Sequence, residues 1–304
     1  MDAEGWKAQG TYHSIRGRRV FAVDSGGERP CMAVLHGYPT SSYDFHQVLP
    51  RLATRYRVIV HDHLGFGLSD KPRDYSYSLH EQADVALALW QELGVGSAHL
   101  VAHDYGTSVA TEILARYELG YRPVELRSLT LCNGSMHIEL AHLRVIQKLL
   151  LSETLGPLVA RVGSQRVFSY NMKKLWGDQA LLSRDELDAM WELLSRDDGR
   201  LRLPQITQYL RERRRFWHRW IGALEECPLP ANILWGTADP VAGRDIAELH
   251  HAEIPQSRLA LLEGVGHYPM LEAPERWSDA LLDLLELGAN TTTPEAEPLE
   301  PPVP

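Results

Sequence analysis

The chain has 304 residues, 44% hydrophobic and 23% charged, a globular composition with enough apolar material for a large core and an enclosed pocket. Its formal net charge of −9 argues against a nucleic-acid partner, and the one basic cluster, residues 211–215, reads as a solvated helical face. No apolar run reaches about 18 residues, so no membrane-spanning helix is expected. The opening Met1-Asp2-Ala3-Glu4-Gly5 lacks the regions of a secretory signal, which makes the cytoplasm the expected location.

In chain order, residues 11–15 and 18–23 read as two strands joined at Arg16-Gly17. Residues 31–35 are a near-continuous apolar run ending at His36-Gly37, and 56–60 another ending at His61-Asp62. A helix is expected over 79–93, a strand over 98–102 ending at His103-Asp104, a helix over 107–117, and a strand over 126–131 ending at Cys132-Asn133-Gly134. Strands return at 231–235 and 258–262, followed by a helix over 274–287. Short apolar strands alternating with helices predict an α/β protein with a mostly parallel sheet covered on both faces.

Between 136 and 222 the strand pattern stops and helical patterning takes over, at 140–151, 185–194 and 205–220. Such a block between two strands of one sheet reads as a cap over the carboxyl edge, where α/β sheets bind ligands. The expected organisation is therefore 1–135 core, 136–222 helical cap, 223–288 core, and a Pro/Glu-rich tail over 289–304 that cannot bury a core. Cys31, Cys132 and Cys227 are odd in number and lack metal-ligand spacing. Cys31 and Cys132 lie in apolar strand runs, so buried reduced thiols are expected.

Asp104 stands where a strand must turn sharply into a helix. A carboxylate there can displace a leaving group from saturated carbon and form an alkyl ester. The competing reading is a helix N-cap. Ser108 is a second competitor, but it falls a full turn inside the helix and cannot present its oxygen at the sheet edge. Asp239, in Gly236-Thr237-Ala238-Asp239-Pro240, follows the next-to-last strand. His267, in Gly264-Val265-Gly266-His267-Tyr268-Pro269, follows the last one. Asp239 would orient the imidazole and His267 would take a proton from water. The backbone amides of Tyr38 and Tyr105 are the expected oxyanion donors. A cis Tyr38–Pro39 bond would suit the tight turn, and His36 is expected to fix that loop.

With these motifs and Asp62-His63-Leu64-Gly65-Phe66-Gly67-Leu68-Ser69-Asp70-Lys71-Pro72, residues 20–288 resemble the α/β-hydrolase superfamily. The resemblance is to the branch that holds epoxide hydrolases and haloalkane dehalogenases. It implies the α/β-hydrolase fold, with an eight-stranded sheet, a helical cap inserted after strand 6, and the chain order nucleophile, acid, histidine. It also implies chemistry without a cofactor or metal. Dehalogenases of the branch usually carry Asn at position 38 and Trp at 105 as halide donors, whereas both positions here are tyrosine. Epoxide hydrolases use cap tyrosines to protonate the epoxide oxygen, and this cap offers Tyr170 and Tyr209. Phe168, Trp176, Phe216, Trp217 and Trp220, with His36, are candidates for an apolar substrate pocket, though aromatics of this kind are more often core than pocket.

The expectation is hydrolysis of a small apolar epoxide to a diol with water as co-substrate, by a monomer or homodimer. A dehalogenase with an unusual halide site comes second. A luciferase-like oxidation and a catalytically idle ligand-binding scaffold are the remaining alternatives.

Overall fold

The computed structural model describes residues 1–134 and 136–289. All eight expected strands are present: β1 (Thr11–Ile15), β2 (Arg18–Asp24), β3 (Cys31–Leu35), β4 (Arg57–His61), β5 (Ser97–His103), β6 (Glu125–Cys132), β7 (Ala231–Gly236) and β8 (Arg258–Leu262). They form one sheet in the order β1-β2-β4-β3-β5-β6-β7-β8. From β3 to β8 the pairing is parallel, while β2 runs antiparallel to both β1 and β4. The parallel strands read as continuous apolar runs because both faces are covered. Ala33 and Leu35 of β3 enter one core, and Met32 and Val34 enter the other.

Before the sixth strand ends, the helices are α1 (Ala3–Lys7), α2 (Leu49–Leu52), α3 (Leu79–Glu92) and α4 (Tyr105–Glu118). Between β6 and β7 the described residues form helices and no strand: α5 (Val145–Leu151), α6 (Leu155–Val162), α7 (Gln165–Lys173), α8 (Arg184–Ser195), α9 (Leu203–Ile206), α10 (Tyr209–Arg215) and α11 (Trp217–Glu225). The chain then adds α12 (Arg244–Glu253), α13 (Pro269–Glu272) and α14 (Pro274–Ala289). Residues of α3, α4, α11 and α12 fill one core; those of α1, α8 and α14 fill the other.

Two expected cap helices are shorter than their periodicity suggests. The first starts at Val145, because the preceding residues turn and the His142 N–H donates to the Val241 carbonyl 2.9 Å away. The stretch 205–220 is broken into α9, α10 and α11. Thr207 ends α9, its hydroxyl bonded to Leu203 O, and Phe216 (φ −106°, ψ 19°) separates α10 from α11. Helix α11 continues past residue 222, so the boundary expected there falls inside a helix. The tail, apart from the backbone of residue 289, lies outside the described residues.

The Asp62 motif is architectural. Its Oδ1 accepts the Ser42 N–H at 2.7 Å and its Oδ2 the Leu68 N–H at 2.6 Å, which folds 62–70 against the loop after β3. Gly67 sits at φ +46°, and a Cβ there would lie 2.1 Å from Asp62 Oδ2. Only glycine fits.

Candidate active site

Strand β5 ends at His103, and Asp104 makes the turn into α4 with φ 47° and ψ −107°. Positive φ is costly for a residue with a Cβ, so the surroundings must hold it. They do so by close approach. A Cβ on Gly106 would lie 2.5 Å from Leu35 O, and one on Gly37 would lie 2.9 Å from Asp104 Cβ. The Asp104 side chain makes no capping bond to α4, which removes the N-cap reading. Ser108 is buried inside α4 and accepts a hydrogen bond from Arg213 Nε at 2.8 Å.

The Asp104 carboxylate is divided between two partners. Oδ1 accepts the Tyr38 N–H at 2.8 Å, and Oδ2 lies 3.6 Å from His267 Nε2. His267 Nδ1 is 2.6 Å from Asp239 Oδ2. Asp239 is itself fixed on all sides: Oδ2 also accepts from Asn133 Nδ2 at 2.9 Å, and Oδ1 accepts the Val241 and Ala242 amides at 2.8 and 3.1 Å. Asn133 in turn accepts the Gly236 N–H at 2.9 Å, so the ends of β6 and β7 are keyed together beneath the acid.

Burial works against a charged imidazole at 267. The charge and hydrogen bond of Asp239, and then the charge of Asp104, outweigh it and raise His267 to about 9. The ring is therefore an imidazolium between two carboxylates at neutral pH. His103 and His36, equally buried but without such a partner, are pushed down to about 4, chiefly by burial.

Three residues that the sequence did not single out complete the arrangement. Arg213, expected on a solvated face, is buried. Its guanidinium bonds Ser108 Oγ and the Asp104 carbonyl (3.3 Å) and lies over the Tyr209 ring at 4.7 Å. Nothing in the run 211–215 distinguishes it from its solvated neighbours. Glu272 accepts the amides of Gly177, Asp178 and Gly266 at 3.1, 2.9 and 2.9 Å, tying the insertion to the His267 loop. Asn133, at φ +42°, is the third. Its place directly after an apolar strand was the available signal.

A cavity of about 120 Å³ opens over Asp104, His267 and Tyr38, with Val159, Val167, Phe168, Met172, Leu175 and Leu203 among its apolar walls. Of the expected pocket aromatics, only Phe168 lines it. Trp176 stacks on Tyr268, ring centres 5.1 Å apart. Trp220 is a core residue that donates from Nε1 to Glu112, Phe216 packs on His80 and Trp220, and Trp217 packs on His218. His36 holds its loop, with Nδ1 against Gly37 O (2.8 Å) and Nε2 accepting the His63 N–H (3.0 Å). The Tyr38–Pro39 bond is cis.

The two cap phenols part company. Tyr170 is 61% exposed on the outer surface beside Lys174, well removed from a protected proton-donor position. Tyr209 is buried with its ring centre 5.8 Å from that of Tyr38 and 5.1 Å from that of Tyr105. Burial and then the Asp104 charge push its phenol upward. Tyr209 does not line the cavity; Tyr38 does, and its hydroxyl is 2.9 Å from Thr207 Oγ1. The Tyr105 hydroxyl points inward to Tyr77 O, while its amide opens α4, where N–H groups lack helical partners. Cys31, Cys132 and Cys227 are free and buried. Among the described residues, one group could hold a metal ion, His137, His250 and Glu253, and none of its members lines the cavity.

Residues 30–274 match the family model described as the alpha/beta hydrolase fold. The chain belongs to that family. It is a hydrolase of the α/β fold, with its helical insertion after the sixth strand. It is 42% identical over 281 residues to LipZ of Mycobacterium tuberculosis, a protein named as a hydrolase, covering 92% of this chain and 96% of that one. It is 36% identical over 290 residues to the human mesoderm-specific transcript homolog protein, covering 92% and 87%. Among solved structures it superposes on the haloalkane dehalogenase DbeA of Bradyrhizobium elkani with a TM-score of 0.80, 22% identity and coverage of 93% and 99%. That last likeness is one of fold. Among the described residues, no helix is long and apolar enough to cross a membrane.

Proposed function

We propose that this hydrolase works through an aspartyl ester, with Asp104 as nucleophile, and that it opens small apolar epoxides to diols without a cofactor. One observation carries the reading. A carboxylate at a strained strand-to-helix turn faces an apolar cavity, with one oxygen on the Tyr38 amide and the other toward an imidazolium held by Asp239.

In the first step an Asp104 oxygen attacks an epoxide carbon, the C–O bond breaks, and a phenol protonates the departing oxygen. Tyr38 is the tyrosine among the cavity-lining residues, with the Tyr209 ring packed against its own. Once Asp104 is esterified its negative charge is gone, and one of the influences that hold the His267 proton goes with it. That proton returns through solvent to the phenolate and leaves a neutral imidazole. In the second step His267 takes a proton from water, and the oxygen adds to the Asp104 carboxyl carbon. The amides of Tyr38 and Tyr105 hold the oxyanion. Collapse releases the diol and restores carboxylate and imidazolium, so the sum is epoxide plus water giving diol.

Tyrosine at 38, a cavity-lining position, favours oxygen over halide as the leaving atom, because an alkoxide needs a proton and a halide does not. The test is a panel of epoxides and haloalkanes scored for diol and halide, with single turnover in H₂¹⁸O and mass analysis of the Asp104 peptide. Diol with label in Asp104 is expected. Halide without diol would reassign the enzyme as a dehalogenase, and an unlabelled Asp104 across the panel would leave an idle scaffold. His267→Gln should trap the ester as a mass adduct.

A further inference from the structure

We infer that His137, His250 and Glu253 form a binding site for a zinc-type divalent cation that ties the first segment of the helical insertion to α12. Each residue offers one donor atom, and the three atoms lie within 4.8 Å of one another. His250 and Glu253 are three apart on the last turn of α12 and so share a face. His137 comes from the segment after β6.

The observation that points to a ligand is His250. It is 1% exposed, and among the described residues neither of its ring nitrogens has a hydrogen-bond partner. A neutral imidazole needs both a donor and an acceptor satisfied, and buried polar groups left unmade are rare and costly.

The neighbours supply the rest of a metal centre. His137 Nδ1 is 2.8 Å from Glu139 Oε1, the carboxylate contact that orients metal-bound histidines. His137 Nε2 is 2.8 Å from Glu253 Oε2. A cation placed between them would take over that contact and release any proton shared there to solvent. Two imidazoles and a carboxylate are a zinc donor set, with donors about 3.3 Å apart when the metal–ligand distance is about 2.0–2.1 Å. Around an ion the 2.8 Å His137–Glu253 contact lengthens, and any wider separation, none above 4.8 Å, contracts. Glu253 keeps 20% side-chain exposure, which gives ion and water a way in to the fourth position. The competing account is a His137 imidazolium shared by Glu139 and Glu253, which explains those contacts but leaves His250 without a partner.

The test is titration of chelator-stripped full-length protein with Zn²⁺ by calorimetry and with Co²⁺ by visible absorption. One ion per chain is expected, with the intense visible band of low-coordinate Co²⁺ and a rise in Tm on loading. His250→Gln and Glu253→Gln should each weaken binding at least tenfold, and His218→Gln, at an exposed histidine, should leave it unchanged. Because a buried substitution such as His250→Gln could disturb folding, the Co²⁺ titration of the unmodified protein stands by itself. No binding and no band at hundredfold excess would overturn the site. So would binding that survives both substitutions or that is lost equally in His218→Gln.

Discussion

Replacing Asp239 by Asn tests the electrostatic core of the site. In the native arrangement every donor around residue 239 faces a carboxylate oxygen: His267 and Asn133 on one side, two backbone amides on the other. An amide presents an NH₂ to one of those pairs, so the substitution removes the charge and sets donor against donor. Burial then governs His267, as it does His103 and His36. The imidazole should fall from about 9 to below its ordinary 6.5. That is a change of at least 9 − 6.5 = 2.5 units, or about 3 kcal/mol of interaction at ~1.4 kcal/mol per unit. The sign for stability follows from linkage. A ring whose pKa is raised on folding contributes fully below pH 6.5 and loses that contribution as pH rises through 9. The stability gap between wild type and Asp239→Asn should therefore narrow by about 3 kcal/mol as pH rises from 6 toward 10. Histidine ring NMR titration reads the ionisation directly, and urea unfolding at a series of pH values reads the energy. A wild-type His267 that titrates at or below 6.5, or a gap independent of pH, would refute the reasoning.

Acid should destabilise the fold early. Burial holds His36 and His103 at about 4 and His61 and His250 at about 3, so the unfolded chain binds protons below pH 6.5 that the folded chain refuses. Stability then falls as pH drops, by about 1 kcal/mol per pH unit near pH 5 for each such ring, while Asp44, whose carboxyl is raised by burial, acts in the opposite sense. A urea midpoint that stays flat from pH 6.5 to 5 would contradict this. Under the proposed mechanism, Tyr38→Phe should lower kcat for epoxide opening by about 10²-fold or more and Tyr209→Phe by less, while Tyr170→Phe stays near wild type; a large loss confined to Tyr170→Phe would reverse the assignment. Arg213→Met strands the buried Ser108 hydroxyl, while the Asp104 carbonyl keeps its Thr107 donors, and should cost about 1–3 kcal/mol in chemical denaturation along with activity. An unchanged midpoint would mean that the guanidinium contributes no more than it loses by desolvation.

The middle of the sheet was legible because strands such as β3, β4 and β7 obey one physical rule: covered on both faces, they are apolar nearly throughout and end where turn residues begin. β1, β3 and β8 match the expected ranges end to end, and the others differ by a residue or two. The insertion was less legible because its periodicity records which side is apolar, and not where tertiary hydrogen bonds break a helix. Thr207 and Phe216 interrupt a pattern that reads as continuous. Trp217 and Trp220 look like pocket residues from their helix, but α11 packs on α4, and Trp220 is spent on Glu112 together with Arg219. Arg213 was misread for the same reason: a side chain's charge does not reveal which way its helix faces.

What the sequence carried unambiguously was spacing that only one backbone can satisfy. Gly37 and Gly106 are required because the chain passes within van der Waals distance of Asp104 and Leu35, and that crowding is what holds a non-glycine residue at φ 47°. The same crowding explains how the proposed nucleophile can be a carboxylate with so little freedom. Its backbone is pinned from both sides, one oxygen is fixed by an amide, and only the second remains to face the cavity and the imidazolium. A carboxylate constrained in this way has its orientation set before substrate arrives, which is the condition under which a weak nucleophile can attack at a useful rate. It follows that Gly37→Ala should depress catalysis more than any single substitution of an apolar cavity-wall residue such as Val159, Val167 or Leu203, because it moves the attacking atom and leaves the binding surface intact. Single-turnover ester formation measured beside substrate affinity separates the two effects. A Gly37→Ala enzyme that binds poorly but forms ester at the native rate would show that the elbow's geometry is not what sets the chemistry.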